Sequence, residues 1–142
     1  MGLVLFVCVE NTFRSVMAEA MFNAEAPRGW RAESAGVQAA EAVNPKAAEL
    51  VREVGIDLGE KVPRTVTPAM VAAADRVVTF GCLDRCPIGA EAKGEDWSIP
   101  GSTARSPAEL REIRDELRSR VRRLIDRIER GEITSRPGPS KP

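Results

Sequence analysis

The chain has 142 residues, of which 43% are apolar, and its 21 acidic and 21 basic side chains give a formal net charge of zero. This length suffices for one domain with a single core, and the neutral balance gives no indication of a nucleic-acid-binding surface. No apolar run approaches the length of a membrane span, and the N-terminal apolar stretch is too short for a signal peptide. We therefore expect a cytoplasmic protein that binds neither nucleic acid nor a membrane.

Strands and helices alternate along the chain, and several helix starts carry a capping residue followed by proline. In chain order the sequence predicts a strand at 3–7, a helix at 15–26, a strand at 30–33, a helix from Asn44-Pro45 that Gly55 ends, a short helix from Thr67-Pro68 to Ala73, a strand at 76–80, a loop at 81–105 with one short strand, and a helix from Ser106 to Gly131. This alternation predicts the α/β class, with a parallel sheet covered by helices on both faces. We expect one domain at residues 1–131 and a disordered tail at 132–142.

The last predicted helix begins with a capping box formed by Ser106 and Glu109. Its apolar residues recur at steps of three and four, which predicts one stripe against the core. The members of this stripe are Leu110, Ile113, Leu117, Val121, Leu124 and Ile128. The many arginines on its other faces alternate with carboxylates, and this pattern favours a self-paired, solvated surface over a nucleic-acid site.

Three cysteines and the absence of histidine restrict the possible chemistry. In a chain expected to be intracellular, cysteines favour nucleophilic or redox chemistry over structural disulfides. Without histidine, serine-hydrolase triads, Cys-His pairs and most metal sites are excluded. Three thiols without an obvious fourth ligand also argue against zinc, so we expect no metal and no cofactor.

The segment from Cys8 to Ser15 connects the first predicted strand to the first helix. Arg14 offers a planar fork for two oxygens of a tetrahedral oxyanion, and loop amides at a helix N-terminus also attract anions. The same positive field favours the thiolate of Cys8, which is the nucleophilic form. Ser15 can donate a hydrogen bond to that sulfur, and Asn11 tolerates the left-handed backbone that a tight loop needs. The predicted oxyanion-binding residues are Val9, Glu10, Asn11, Thr12, Phe13 and Arg14.

A buried structural cysteine at a strand end would explain Cys8 equally simply. The order strand, loop and amphipathic helix favours the oxyanion site instead, because ligands bind at the carboxyl ends of strands in open α/β sheets.

Cys82 and Cys86 follow the strand predicted at 76–80. Cys82 and Cys8 would then both lie at the carboxyl edge of the sheet, and three thiols at one edge allow a relay of thiol–disulfide exchanges. The alternative is that these are two loop cysteines without a shared role. We predict the catalytic residues Cys8, Arg14, Ser15, Cys82 and Cys86.

Several segments of the chain match the motifs of one known family. They are Cys8 to Ser15 with Met17 to Ala20, Glu33 to Gly36, Asn44-Pro45, Val54 to Asp57, Val77 to Cys82 with Cys86-Pro87, Glu95 to Trp97, and Ile113 to Glu116. Together they resemble the low-molecular-weight protein tyrosine phosphatases and the arsenate reductases built on the same fold. The resemblance implies a four-stranded parallel sheet, Cys8 as nucleophile, Arg14 as oxyanion clamp, Cys82 and Cys86 as resolving pair, and a thioredoxin-like reductant.

The chain departs from that family pattern at two places. Glu10 stands where the family often has Gly or His, and Gly101-Ser102 stand where the family has an Asp-Pro pair that supplies a general acid. Asp96 or Asp84 would have to replace that acid, although neither lies at the matching position. A phosphatase gains about 10²–10⁴ in rate from an acid that protonates its leaving group, whereas attack on arsenate expels only hydroxide or water.

The missing acid and the three cysteines favour an arsenate reductase. Two alternatives remain open: a low-molecular-weight phosphatase that works through a Cys8 phosphocysteine, and a non-catalytic module that binds oxyanions or senses redox state.

Overall fold

The computed structural model of the protein describes residues 1–82 and 93–135. Its strands are β1 (Gly2–Cys8), β2 (Trp30–Gly36), β3 (Arg76–Thr79) and β4 (Gly94–Asp96). They form one sheet in the order β2-β1-β3-β4, and every neighbouring pair is parallel. The predicted α/β class with a four-stranded parallel sheet is confirmed.

Four helices connect and cover the strands: α1 (Arg14–Glu25), α2 (Pro45–Arg52), α3 (Pro68–Ala73) and α4 (Pro107–Glu129). The capping signals act as predicted. The side chain of Asn44 accepts from the Lys46 amide, that of Thr67 accepts from the Met70 amide, and Ser106 forms the capping box of α4. Within the described residues, no helix combines the length and apolarity that a membrane crossing requires.

The two faces of the sheet bury two separate clusters. The main core lies under α1, α2 and α4 and contains Val4, Phe6 and Cys8 of β1 together with the whole predicted stripe of α4. The back core lies under α3 and contains Leu5 and Val7 of β1. Because successive side chains of a strand point to opposite faces, β1 contributes to both cores along its entire length.

The second strand is longer than predicted, because Ser34, Ala35 and Gly36 continue it instead of following it. Gly36 pairs with Cys8 of β1, and the backbone of Gly36 also bonds to Arg64 and Val66 on its other side. The end of β2 is therefore held between β1 and the segment that leads to α3.

The loop predicted at 81–105 contains β4, whereas residues 83–92 lie outside the described residues, as do residues 136–142 of the predicted tail. Helix α4 ends just before Gly131, whose φ of 80° is the left-handed conformation expected of a C-terminal glycine. Beyond it, Ile133 is buried against the main core.

Candidate oxyanion site

The site lies at the carboxyl end of β1, where the chain leaves the sheet and enters α1. Strands β2 and β3 lie on opposite sides of β1, so the crevice beyond its end is the position at which such sheets bind ligands. Residues 9–13 form the connecting loop, and Phe13 and Asn11 are buried within it.

The backbone orientation of this loop is set by the segment that follows β2. The carbonyls of Cys8, Val9, Glu10 and Thr12 accept hydrogen bonds of 2.8–3.1 Å from the amides of Val37, Gln38, Ala40 and Asn44. In a trans peptide the N–H points opposite to the preceding carbonyl. The amides of residues 9, 10, 11 and 13 therefore point away from that segment, toward the inside of the loop, where they can bind an anion.

Gly36 makes the close approach of these two segments possible. A Cβ atom at this position would lie 2.7 Å from the Val9 carbonyl oxygen and 2.8 Å from the Asn11 nitrogen. Real Cβ atoms do not come so near to backbone, so only glycine fits at the end of β2. This steric limit explains why the Ser-Ala-Gly motif at residues 34–36 ends in glycine.

The nucleophile candidate Cys8 is buried, and its Sγ lies 2.9 Å from Ser15 Oγ. Asn11 Nδ2 donates to the same hydroxyl over 2.8 Å, so the hydroxyl hydrogen of Ser15 is available for the sulfur. Asn11 has a φ of 58°, which is the left-handed conformation expected for it. Both roles predicted for these residues are compatible with the geometry.

Arg14 is the first residue of α1, and its guanidinium is held by main-chain carbonyls. Its Nη1 donates to the Ile99 oxygen over 2.8 Å and to the Phe80 oxygen over 3.4 Å, and its Cζ lies 5.7 Å from the Phe80 ring centroid. Within residues 1–82 and 93–135, Nη2 and Nε make no hydrogen bond. These two nitrogens form the edge of the fork that can bind two oxygens of one anion.

Gly101 lies beside this guanidinium. A Cβ atom there would be 4.0 Å from Arg14 Cζ and from Arg14 Nη2, so the position faces the candidate anion site without a side chain. The acid that the family resemblance implies is absent from this position.

Asp96, considered above as a replacement acid, is engaged elsewhere. Its Oδ1 accepts from Thr79 Oγ1 over 2.5 Å and from the Gly81 amide over 2.7 Å. It therefore ties β4 to the end of β3. The second replacement considered above, Asp84, lies outside the described residues.

The segment that carries Ile99 is anchored by Glu95, whose side chain binds Arg76, Trp97 and Arg127. Burial tends to raise the pKa of this carboxyl, but the hydrogen bonds from Arg127, Trp97 and Arg76 outweigh burial and leave the pKa lowered. The ionised carboxylate links β4, β3 and α4 and holds in place the chain that leads to the Ile99 carbonyl.

Glu10 is exposed, and Val9 and Thr12 are half-buried. The carboxylate of Glu10 is therefore in contact with solvent, which screens its repulsion of an anion in the loop.

Cys82 lies at the same carboxyl edge of the sheet as Cys8, but on the other face. It is fully buried in the back core, and its Sγ donates to the Val7 carbonyl over 3.3 Å. Gly81 explains the change of face: its φ of 84° breaks the alternation that would have placed Cys82 on the side of Phe80. Cys86 lies outside the described residues.

Three further residues, Ser34, Glu19 and Lys61, extend the hydrogen bonds of the loop. Asn11 Nδ2 also donates to Ser34 Oγ over 3.0 Å, Ser34 Oγ donates to Glu19 Oε1 over 2.5 Å, and Lys61 Nζ lies 2.8 Å from the same oxygen. Glu19 follows Ser15 by four residues, which places both on one face of α1. Nothing in the sequence around Lys61 indicates this contact. Among the described residues, no group of three Cys, Asp or Glu side chains is arranged to hold a metal.

Known proteins resemble this chain over most of its length. A family model described as low molecular weight phosphotyrosine protein phosphatase matches residues 3–133. Arsenate reductase 2 of Staphylococcus saprophyticus is 32% identical over 127 residues, which cover 87% of this chain and 95% of the relative.

Two solved structures are also similar. The thioredoxin-dependent arsenate reductase of Corynebacterium glutamicum is 30% identical with a TM-score of 0.80; the match covers 92% of this chain and 63% of the other, so this chain spans less than two thirds of that protein's length. An arginine phosphatase from Geobacillus stearothermophilus is 26% identical with a TM-score of 0.82, and the match covers 93% of this chain and 96% of the other.

Proposed function

Because this chain belongs to the low molecular weight phosphotyrosine protein phosphatase family, we propose that it reduces arsenate to arsenite and is recycled by a thioredoxin-like dithiol. The observation that carries this proposal is the empty position beside Arg14. Gly101 provides no carboxyl group there to protonate a departing alkoxide or phenoxide, and arsenate attack does not require one. The names of the similar arsenate reductases support the same conclusion.

In the first step, arsenate binds to the loop amides and to Arg14, and the Cys8 thiolate attacks arsenic. A sulfur–arsenic bond forms, and one arsenic–oxygen bond breaks with loss of hydroxide or water. Ser15 Oγ lies 2.9 Å from that sulfur and can donate a hydrogen bond to it while it carries charge.

In the second step, the Cys82 thiolate attacks the sulfur of Cys8. The Cys8–Cys82 disulfide forms, and the electron pair of the sulfur–arsenic bond leaves with arsenic, which is reduced from As(V) to As(III) and released as arsenite. Cys86 then attacks Cys82, Cys8 leaves as thiolate, and the dithiol donor reduces the Cys82–Cys86 disulfide by the same exchange.

This relay requires Cys82 to leave its resting position. Its sulfur is buried in the back core and bonded to the Val7 carbonyl, on the face of β1 opposite to the Cys8 side chain. We therefore place a movement of Cys82 out of the back core between the first and second steps.

The test is a coupled assay with arsenate, thioredoxin, thioredoxin reductase and NADPH. We expect arsenite to accumulate over many turnovers with the unmodified chain and not with Cys8→Ser. Cys82→Ser should stop turnover. It should still bind the oxyanion in calorimetry, and this retained binding would show that its fold is intact. Absence of arsenite with the unmodified chain, or normal turnover by Cys82→Ser, would contradict the relay.

A phosphatase is the second candidate, and the likeness to an arginine phosphatase over 96% of that protein's length favours it. This activity would use Cys8 as the nucleophile of a phosphocysteine and would survive replacement of both Cys82 and Cys86 by serine. Hydrolysis of phosphate monoesters that depends on Cys8 alone would support it. Tight oxyanion binding without turnover of either kind would point to a binding or sensing module.

A further inference from the structure

We propose that Trp97 is a positioning residue for Arg14, because the two groups that order the guanidinium are both held by Trp97. Among the described residues, the hydrogen-bond partners of the guanidinium are the carbonyls of Ile99 and Phe80. Any effect of Trp97 on Arg14 must therefore pass through these two residues. The proposal rests on the proposed function only in that Arg14 binds an oxyanion.

The first path from Trp97 to Arg14 runs along the backbone. Arg14 Nη1 donates to the Ile99 carbonyl over 2.8 Å, and the Ile99 amide donates to the Trp97 carbonyl over 3.1 Å. This second bond closes a tight turn of three residues. The Trp97 amide donates in turn to the Thr79 carbonyl over 2.8 Å. Trp97 thus joins the turn to the end of β3 and fixes the place of the acceptor for Arg14.

The second path runs through aromatic rings. Arg14 Cζ lies 5.7 Å from the centroid of the Phe80 ring, which is within the range of a cation–π interaction. The ring of Phe80 packs edge to face against that of Trp97, with centroids 5.9 Å apart and an angle of 84° between the planes. Both residues are buried, and side chains in a close-packed interior restrict one another's rotation. The orientation of the ring beside Arg14 therefore depends on Trp97.

The indole of Trp97 is itself fixed at its ring and at its nitrogen. The ring centroid lies 5.9 Å from that of Phe6 in β1, and Nε1 donates to Glu95 Oε1 over 2.8 Å. A buried indole N–H needs such an acceptor. Glu95 is bound in turn by Arg76 of β3 and by Arg127 of α4. The positions of β1, β3 and α4 thus determine that of Trp97.

The direction of the guanidinium matters because its fork binds two oxygens of one anion at the same time. An arginine that is free to rotate must be ordered when the anion binds, and this ordering lowers the affinity. Lysine has no such plane and attracts an anion as a point charge. Ordering by Trp97 should therefore raise the phosphate affinity of the unmodified chain and have little effect in the Arg14→Lys variant.

Calorimetric titration with inorganic phosphate tests this difference in a double-mutant cycle. Trp97→Leu should raise the Kd for phosphate by about tenfold in the unmodified chain, since the rotamer freedom of Arg14 is then lost on binding. In the Arg14→Lys background, the same substitution should leave the Kd unchanged to within about twofold. Trp97→Phe keeps a ring against Phe80 and loses only the hydrogen bond to Glu95, so its Kd should rise by only about threefold in the unmodified chain.

A matched control separates positioning from general damage to the fold. Leu117→Ala opens a cavity at a fully buried position of α4 and should leave the Kd for phosphate unchanged in both backgrounds. If Trp97→Leu does not fold by circular dichroism, the threefold effect of Trp97→Phe must disappear in the Arg14→Lys background for the proposal to stand.

Two results would overturn the proposal: equal weakening of phosphate binding by Trp97→Leu in both backgrounds, or no weakening in the unmodified chain. Weakening by Leu117→Ala as large as that by Trp97→Leu would also overturn it, because loss of stability would then explain both. Phosphate binding requires neither arsenate nor a reductant, so failure of the reductase assay would leave this result unaffected.

Discussion

Gly101→Asp should convert the site toward hydrolysis of phosphate esters. A Cβ atom at Gly101 lies 4.0 Å from Arg14 Cζ and Nη2, which is an ordinary contact distance, so the side chain fits without displacing the arginine. We expect the carboxyl group to reach from there the oxygen that leaves a phosphate ester bound to Arg14. General acid catalysis raises a reaction rate by about 10²–10⁴, and we expect the rate of phosphate ester hydrolysis to rise by this factor.

The assay compares phenyl phosphate with p-nitrophenyl phosphate. Phenoxide is more basic than p-nitrophenoxide, so its departure depends more strongly on protonation. The gain in hydrolysis rate should therefore be larger for phenyl phosphate. Gly101→Asn is the matched control, because it has nearly the same shape and cannot act as an acid.

The same substitution should weaken arsenate reduction. A carboxylate about 4 Å from a guanidinium interacts with it by roughly 1 kcal/mol in water and by roughly 4 kcal/mol near a protein surface. It therefore competes with arsenate for Arg14, and the KM for arsenate should rise. Equal ester hydrolysis by Gly101→Asp and Gly101→Asn would refute the reasoning, since the missing proton donor would then not limit the rate.

Three other substitutions test the fold and the loop. Gly36→Ala should abolish phosphate binding in calorimetry while the chain remains folded by circular dichroism, because its methyl group would meet loop backbone at 2.7 Å. Leu117→Ala, at a fully buried position, should lower the free energy of unfolding in urea by about 2–5 kcal/mol, whereas Val62→Ala, at a position that is 67% exposed, should change it by less than about 0.5 kcal/mol. The pKa of Glu53 is lowered from 4.5 to about 2, first by a hydrogen bond from Arg111 and then by a second arginine of α4. Its contribution to stability is thus present above its unfolded-state pKa and is lost as pH falls toward about 2. Glu53→Gln should therefore lower Tm at roughly pH 6 more than at roughly pH 3; an equal loss at both pH values would contradict this.

Local sequence signals were sufficient for most of the elements. Polar caps followed by proline at Asn44, Thr67 and Ser106 locate three helix starts because each side chain bonds to a backbone amide within the next three residues. The continuous apolar run of β1 identified a central strand, since both of its faces are buried. These are short-range effects, and they need no knowledge of the tertiary structure.

Contacts between distant segments could not be predicted in this way. The sequence prediction ended β2 too early, because Ser34 is held by Asn11 and Glu19, which are far away in sequence. The face occupied by Cys82 depends on the φ angle of the single residue Gly81. Because glycine adopts positive and negative φ about equally readily, the sequence does not predict that face. The ion pair of Lys61 with Glu19 joins a loop to α1 across many intervening residues. Such a contact leaves no periodic pattern in the sequence from which it could be predicted.

The carbonyls that hold Arg14 have a consequence for the entropy of binding. An arginine side chain loses about 1.5–2 kcal/mol of rotamer freedom when it is fixed in one conformation. Here the oxygens of Ile99 and Phe80 restrict the guanidinium while the chain folds, before any anion arrives. An incoming oxyanion therefore meets a fork that is already ordered, and more of the attraction between the two charges is expressed as affinity.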